Sequence, residues 1–359
     1  MANSRPLKWK IAAIVAIAFF PAPALANAGT PLIWAGMFHL FLGNAIIGIF
    51  EGLLLAKFFG VARNLSINLL VVANYASAWA GILLLPQWAA RSQNLTLENI
   101  ELWLGILVAA AFLLTLLVEF PFFWFLLRDR KNSFWKALKA IFIIHGISYI
   151  CLFGWYGANS QTSLLTQLEL VPIQQLQASQ KYALYFISMD GKQLMRARLN
   201  GEPPEQVKEF KKVNPNEEPC FRQNERQQFD LFALVSEKQE PIISDFAKRV
   251  PLSPEREDNS CNSTSFGRAL KLTKNSNWEY ETSVWAAGGI MGFNRKKGSR
   301  IHFALETPFA FWNVSHATHL EGDLVVFQLH KNQMCLLDPQ ARKIALIARG
   351  SSPVVVEPK

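Results

Sequence analysis

The chain has 359 residues, of which 51% are hydrophobic and 18% charged, and a formal net charge of +9. This composition is too apolar for an ordinary soluble protein. Residues 1–158 contain only five of the 27 acidic residues, whereas residues 159–359 have a net charge of +3 and the composition of a soluble domain. Because no basic face with interleaved aromatic residues is recognisable, we expect no nucleic-acid partner.

Residues 1–28 have the pattern of a signal peptide. Three basic residues precede a ten-residue apolar stretch, Ile11–Phe20, and Ala-x-Ala sequences follow at Ala24–Ala26 and Ala26–Ala28. The apolar stretch is too short to cross a bilayer, which takes about 20 apolar residues. An uncleaved anchor is the alternative, and both interpretations place residue 30 outside the cytoplasm.

Residues 29–158 are predicted to form a four-helix transmembrane domain in the lipid bilayer. Each of four apolar segments is long enough to span it: 32–58, 67–89, 102–127 and 137–157. With residue 30 outside, the inner loops carry seven basic residues and the outer loop carries one, as the positive-inside rule requires. We therefore expect a membrane of the export pathway, of the bacterial inner-membrane type, with residues 159–359 outside the cytoplasm.

Each predicted span contains one conspicuous polar residue: Glu51, Asn74, Glu119 and His145. Counted from the cytoplasmic ends of their helices, all four lie seven or eight residues inside. At 1.5 Å per residue they share a layer about 10–12 Å from the inner boundary. A bundle of these helices would therefore bring them together.

The faces of the helices extend this predicted site. Asn44 shares a stripe with Glu51, and Gly48-x-x-x-Gly52 on the same stripe permits close contact with another helix. On the fourth helix, Tyr149 lies one turn from His145. We therefore add Asn44 and Tyr149 to the predicted intramembrane site.

Two carboxylates in the membrane need a chemical explanation, because one charged side chain near the bilayer centre costs about 2.5–3.5 kcal/mol. Glu51, Glu119 and His145 are candidate ligands of a divalent cation. The same groups could instead relay protons, since an imidazole and a desolvated carboxyl group both titrate near neutrality. A third interpretation is that a protonated glutamate, bonded to Asn74 or His145, only holds the helices together.

Residues 159–180 form a polar linker, and residues 181–359 are predicted to form a mainly β extracytoplasmic domain. Hairpins are indicated around Asp190-Gly191, within Phe229–Phe246 and at the loop 293–300. Three or four further strands are expected between Asp323 and Val356.

Two segments of this domain, 187–204 and 336–353, share an order of features. Each has an apolar pair, a turn at Asp190 or Asp338, a strand of basic and apolar residues, then Gly and Pro. This arrangement resembles the last hairpin of a β-propeller blade in extracytoplasmic TolB-like or quinoprotein-like repeats. The roughly 180 residues of this domain would suit at most four blades of about 40–45 residues. A β-sandwich or an irregular barrel is the alternative.

The outer domain offers few candidates for chemistry. Cys220 and Cys261 could form a disulfide in an oxidising compartment, or they could be two thiols that never meet. His316 and His319 could bind a metal with Asp323, but their spacing requires a helix and Gly322 indicates a turn. No catalytic motif is recognisable in the sequence.

The leading functional hypothesis is a membrane-embedded sensor, scaffold or assembly module, whose outer β domain binds a protein partner or a ligand. The alternative is a small cation or proton transporter that uses Glu51, Glu119 and His145. A membrane-bound enzyme is the third possibility.

Overall fold

The computed structural model describes these residues: 30–91, 96–160, 163–176, 180–210, 218–223, 229–235, 238–251, 266–273, 275–283, 288–307 and 310–358. The predicted signal peptide, residues 1–28, lies outside them. The described residues form two compact units. The helical unit comprises 30–80 and 114–160, and the β unit comprises 81–113 and 163–358.

The helical elements begin with four long helices: α1 (Pro31–Phe59), α2 (Arg63–Arg91), α3 (Ile100–Leu127) and α4 (Ser133–Asn159). A single 3-10 turn, Leu97–Asn99, precedes α3, and a short helix, α5 (Leu164–Gln167), follows α4. All four long helices are apolar and long enough to cross a membrane. The prediction of four long apolar helices is therefore confirmed.

The ends of α1 follow ordinary capping rules. The Thr30 hydroxyl accepts a hydrogen bond from the Ile33 amide at 3.2 Å, and Pro31 occupies the first helical position, where no amide proton is needed. Gly60 ends the helix with φ +67°, a left-handed conformation that glycine adopts without a steric penalty.

A π-helical turn, His39–Gly43, interrupts α1 in its N-terminal half. The wider turn changes the pattern of backbone hydrogen bonds. The Leu40 carbonyl accepts a bond from the side-chain Nδ2 of Asn44 at 3.1 Å, and the Phe41 carbonyl accepts one from the Tyr75 hydroxyl of α2. Side chains therefore satisfy carbonyl groups at this irregular turn.

The described strands are, in chain order, β1 (Glu169–Leu170), β2 (Ala183–Ile187), β3 (Gln193–Arg198), β4 (Glu205–Glu209), β5 (Glu218–Gln223), β6 (Phe229–Val235), β7 (Lys238–Arg249), β8 (Gly267–Arg268), β9 (Leu270–Lys271), β10 (Trp278–Thr282), β11 (Ile290–Asn294), β12 (Arg300–Phe303), β13 (Glu306–Thr307), β14 (Ala310–Phe311), β15 (Val314–His319), β16 (Val325–Leu329), β17 (Gln333–Asp338), β18 (Lys343–Arg349) and β19 (Ser351–Pro358). The prediction of a mainly β region is thus confirmed.

The strands form four sheets, built mostly from antiparallel neighbours in the chain. Their orders are β1-β18-β17-β16-β15-β9, β12-β11-β10-β8, β13-β14 and β4-β3-β2-β19-β7-β6-β5. In the last sheet, the C-terminal strand β19 pairs with β2 on one side and with β7 on the other. Long-range pairing of the chain end therefore joins two sequential meanders into one sheet.

The two segments with similar sequences form similar hairpins. β2 pairs with β3 and β17 pairs with β18. In the first turn, the Asp190 carboxylate accepts a bond from the Lys192 amide at 3.1 Å. In the second, the Asp338 carboxylate accepts bonds from the Gln340 and Ala341 amides at 3.0 and 2.9 Å. Both turns thus use an aspartate that bonds to nearby backbone, as expected for Asx turns.

The connection between α2 and α3 packs into the core of the β unit. Leu97 and Ile100 are buried in the same hydrophobic cluster as Phe327. The Leu97 amide donates to Gln333 Oε1 at 2.6 Å, and Glu98 forms an ion pair with Arg349 at 2.7 Å. This short segment is therefore structurally part of the β unit.

Candidate functional site

The candidate site lies on the buried faces of the helices. On α1 the buried residues follow helical spacing: Asn44, Gly48, Glu51, Gly52 and Leu55. On α4 they do so as well: Ala137, Ala140, Ile141, Ile144, His145 and Ser148. The polar residues of the site thus lie on the buried faces of their helices.

Two glycines bring α1 and α2 into backbone contact. A Cβ atom added at Gly48 would lie 2.6 Å from Val71 Cα, and one added at Gly52 would lie 2.6 Å from Ile67 Cα. At this close approach, the buried Ser66 hydroxyl of α2 donates to the Gly52 carbonyl at 2.9 Å. The short distance between the two backbones allows Glu51 to reach the side chains of α2.

Glu51 accepts hydrogen bonds from two other helices. Asn74 Nδ2 of α2 lies 2.7 Å from Glu51 Oε2, and His145 Nδ1 of α4 lies 2.9 Å from Glu51 Oε1. Asn74 Nδ2 also donates to the Leu70 carbonyl at 3.0 Å. Both carboxylate oxygens of Glu51 therefore have partners, although its side chain is 0% exposed.

Glu119 of α3 approaches the same imidazole from its other side. Ser77 Oγ donates to Glu119 Oε1 at 2.6 Å, and His145 Nε2 lies 3.4 Å from Glu119 Oε2. Among the described residues, neither this Nε2 nor this Oε2 has a hydrogen-bond partner. Glu119 is 0% exposed and His145 is 1% exposed. The imidazole thus lies between two buried carboxylates.

The arrangement has the components of a metal site. One ligand atom from each of Glu51, Glu119 and His145 lies within 4.8 Å of the other two. Two ligand atoms of a tetrahedral ion, each about 2.1 Å from it, are about 3.4 Å apart. That is the separation of His145 Nε2 from Glu119 Oε2. In this arrangement His145 Nε2 and Glu119 would bind the ion directly. Glu51, bonded to Nδ1, would orient the imidazole, a common contact of metal-binding histidines.

The structure brings together four of the six residues of the predicted intramembrane site: Glu51, Asn74, Glu119 and His145. Asn44 instead bonds to the Leu40 carbonyl of its own helix. The Tyr149 hydroxyl lies 3.1 Å from Thr115 Oγ1. These hydrogen bonds of Asn44 and Tyr149 are therefore made with groups other than Glu51, Asn74, Glu119 and His145.

Sequence reasoning missed two contributors. Ser77 lies one turn after Asn74 on α2, and the sequence did not predict its contact with Glu119. Phe123, which is fully buried one turn after Glu119, has its ring centroid 5.6 Å from that of His145. Its apolar ring packs against one side of the imidazole. Its position at i+4 from Glu119 was the available signal.

His39 is not part of this cluster. Its Nδ1 lies 2.9 Å from the Tyr156 hydroxyl of α4, and the two rings meet edge to face. This contact packs the π-helical turn of α1 against α4. His39 therefore has a structural partner of its own.

The histidines of the β unit have separate partners. His319 Nε2 lies 3.1 Å from Asp323 Oδ1, and His316 Nδ1 lies 3.1 Å from Ser315 Oγ. Burial lowers the pKa of His316 to about 4, and it also lowers the pKa of His319, so both stay neutral near pH 7. Among the residues that the structure describes, Glu51, Glu119 and His145 form the one group of three or more His, Cys, Asp or Glu side chains that could hold a metal ion.

The predicted disulfide falls largely outside the described residues. Cys261 lies outside them, and only the backbone of Cys220, in β5, is described. Among the other cysteines, Cys151 and Cys335 are free thiols. The Cys220–Cys261 pairing stays a prediction.

Comparison with known proteins adds no family assignment: no family model matches the chain, and no curated protein is detectably similar to it.

Proposed function

We propose that this chain is an integral membrane protein that acts as a membrane-embedded sensor or assembly module. In this proposal, the helical unit binds a divalent cation in exchange for protons at Glu51, Glu119 and His145. The observation that carries it is the buried imidazole between two carboxylates, with Nε2 facing Glu119 Oε2 at 3.4 Å. The β unit would transmit the bound state to a partner or ligand outside the cytoplasm.

Surface chemistry supports membrane insertion. Of the 29 exposed large hydrophobic side chains among the described residues, 26 lie on the four long helices. Such an apolar surface is far larger than a soluble monomer normally exposes. Lipid would cover it.

Loop contacts support the proposed orientation. Arg130, between α3 and α4, donates to the Gly60 carbonyl, between α1 and α2, at 2.8 Å. These two loops are those predicted to lie inside. The segment between α2 and α3, predicted to lie outside, bonds through Leu97 and Glu98 to Gln333 and Arg349, which are also predicted to lie outside. Each pairing joins segments expected on one side of the membrane.

Charge balance explains why protons and a cation would compete. A protonated His145 with one ionised and one protonated glutamate is neutral. A neutral His145 with two ionised glutamates and a divalent cation is also neutral. Exchanging one cation for about two protons therefore keeps the buried site uncharged, and metal binding of this kind releases protons. Other charge states leave a net charge in a low-dielectric environment, which is costly.

The enclosure of the site favours sensing over conduction. Glu51, Glu119 and His145 are all essentially inaccessible to solvent. An ion can therefore enter or leave only when the helices move. Such movements link the occupancy of the site by the ion to the conformation of the protein. The same movement on alternate sides of the membrane would be transport, which is the second candidate function.

Binding of Zn²⁺ or Co²⁺ tests the site directly. We expect full-length protein in detergent to bind one ion with release of about two protons per ion, because the ligands must lose theirs. Titration calorimetry in two buffers of different ionisation enthalpy measures this release. Glu119→Gln and His145→Gln should weaken binding at least tenfold, since each removes a ligand.

Glu101→Gln is the matched control, because Glu101 is an exposed acid in the first turn of α3. It should bind like the wild type. Wild-type protein without saturable binding, or equal weakening by the control, would exclude the cation site. Proton-dependent stability without cation binding would instead favour a site that handles protons alone.

The membrane topology gives a separate prediction. A single cysteine placed at Lys131, in a background without native cysteines, should react with an impermeant maleimide only after intact cells are opened. A cysteine at Lys331, in the turn between β16 and β17, should react from outside. The reverse labelling pattern, or labelling of both sites in intact cells, would contradict the orientation.

A further inference from the structure

A second site is suggested by a pocket at the loop ends of α1, α3 and α4. It has a volume of about 620 Å³ and lies within the helical unit. Three basic side chains line it, Arg130, Lys136 and Lys139. The remaining lining is apolar: Phe58, Phe59, Leu127 and Ile143. The pocket therefore combines a cationic side with a hydrocarbon side.

The positive charge of the pocket is not compensated by the protein. Among the residues that the structure describes, no carboxylate forms an ion pair with Arg130, Lys136 or Lys139. The neighbouring Asp129 is 93% exposed and lies 3.9 Å from Arg128 instead. An anion in the pocket would therefore meet three basic groups with no carboxylate bound to them.

One of the three bases is held in position. Arg130 Nη2 donates to the Gly60 carbonyl at 2.8 Å, which fixes the guanidinium across the gap between two loops. A guanidinium has five N–H donors, so this contact leaves others for a ligand. Lys136 and Lys139 lie three residues apart on α4 and so present their side chains on one face.

The apolar side of the pocket indicates what kind of anion fits. Phe58 is 51% exposed and Ile143 is 39% exposed, and further exposed apolar residues continue along α1 and α4. A small phosphate would use only the basic side chains. A phospholipid would place its phosphate among the bases and its acyl chains along the exposed apolar residues. Basic pockets between transmembrane helices at the cytoplasmic surface bind anionic lipid head groups in this way.

We propose that this pocket binds the phosphate of an anionic phospholipid from the inner leaflet. The lipid would bridge the loop after α3, which carries Arg130, to the start of α4, which carries Lys136 and Lys139, beside Phe58 and Phe59 of α1. Binding here is independent of the cluster formed by Glu51, Glu119 and His145, and it requires no cation.

The test uses full-length protein in neutral detergent and three soluble probes: short-chain phosphatidylglycerol, phosphatidylcholine with the same chains, and glycerol phosphate. Native mass spectrometry counts bound lipid, and thermal unfolding measures stabilisation. Phosphatidylglycerol should bind at least tenfold more tightly than phosphatidylcholine. Each basic residue removed should weaken binding about fivefold, so Lys136→Gln/Lys139→Gln should lose roughly 25-fold.

Lys131→Gln is the matched control, because Lys131 is an exposed base in the same loop but does not line the pocket. It should bind like the wild type. Arg130→Gln provides a second variant if the double variant is poorly folded. Equal binding of the two lipids, equal weakening by Lys131→Gln, or equally strong stabilisation by glycerol phosphate would each overturn the lipid site.

Discussion

Replacing His145 by alanine is expected to destabilise the helical unit by about 3–5 kcal/mol, the range seen when one partner of a buried ionic group is removed. His145 contacts Glu51 at 2.9 Å and faces Glu119 at 3.4 Å, and both carboxylates are fully buried. Without the imidazole, the carboxylates lose their shared bridging group and face a cavity. Reversible unfolding of the purified protein in mixed micelles, followed by circular dichroism, measures the change.

His39→Ala is the control for this variant. His39 is a histidine on α1 with one side-chain hydrogen bond, to Tyr156. Losing that bond should cost about 1 kcal/mol. In the His145→Ala background, Glu51→Gln and Glu119→Gln should together restore part of the lost stability, because they remove the uncompensated charge. Equal losses in His145→Ala and His39→Ala would show that the imidazole does not bridge the carboxylates energetically.

The close arrangement of Glu51, Asn74, Glu119 and His145 could be anticipated because a helix rises by a fixed distance per residue. The number of residues from the expected cytoplasmic end of each helix therefore predicts how far along the helix axis a side chain lies. The side of the helix that carries each polar group followed from the 3.6-residue period. Glu51, for example, lies on the same stripe as Gly48 and Gly52. The residue count could not predict which nitrogen of His145 contacts which carboxylate, because the rotation of each helix about its axis decides this.

Ser77 shows where the sequence alone was insufficient. In an apolar helix a serine is first recognised as a small residue that permits packing. The single proton of its hydroxyl has a second acceptor within reach, the Asn74 carbonyl at 3.0 Å, to which helical serines often donate. Its contact with Glu119 depends on the approach of α2 to α3, which no local pattern encodes. The π-helical turn at His39–Gly43 likewise has no marker in its composition.

In the β unit, turn chemistry was predictable and sheet order was not. The hairpins around Asp190 and Asp338 were expected because aspartate bonds to the backbone just after it. Four strands, β16 to β19, occupy the region where three or four were expected. The placement of β19 between β2 and β7 depends on contacts across more than 100 residues. Local propensity carries no information about such pairing.

Gly48→Ala is the second substitution with a large expected effect. The new Cβ would lie 2.6 Å from Val71 Cα and 2.7 Å from Val71 N, so backbone atoms of α2 must move. Overpacking of this kind costs about 1–3 kcal/mol, and more when backbones are forced apart. We expect a loss of about 3 kcal/mol, although alanine itself favours a helix by up to about 1 kcal/mol. Unfolding in mixed micelles measures it.

Gly146→Ala on α4 is the matched control, because nothing lies within 4 Å of its added Cβ. It should leave stability unchanged or raise it slightly. Gly48→Ala should also weaken Zn²⁺ binding, since separating α1 from α2 moves Glu51 away from Asn74 and loosens its hold on His145. If Gly48→Ala and Gly146→Ala behave alike, α1 and α2 do not approach as closely as described. If stability falls but cation binding does not, the orientation of His145 does not depend on the glycine contact.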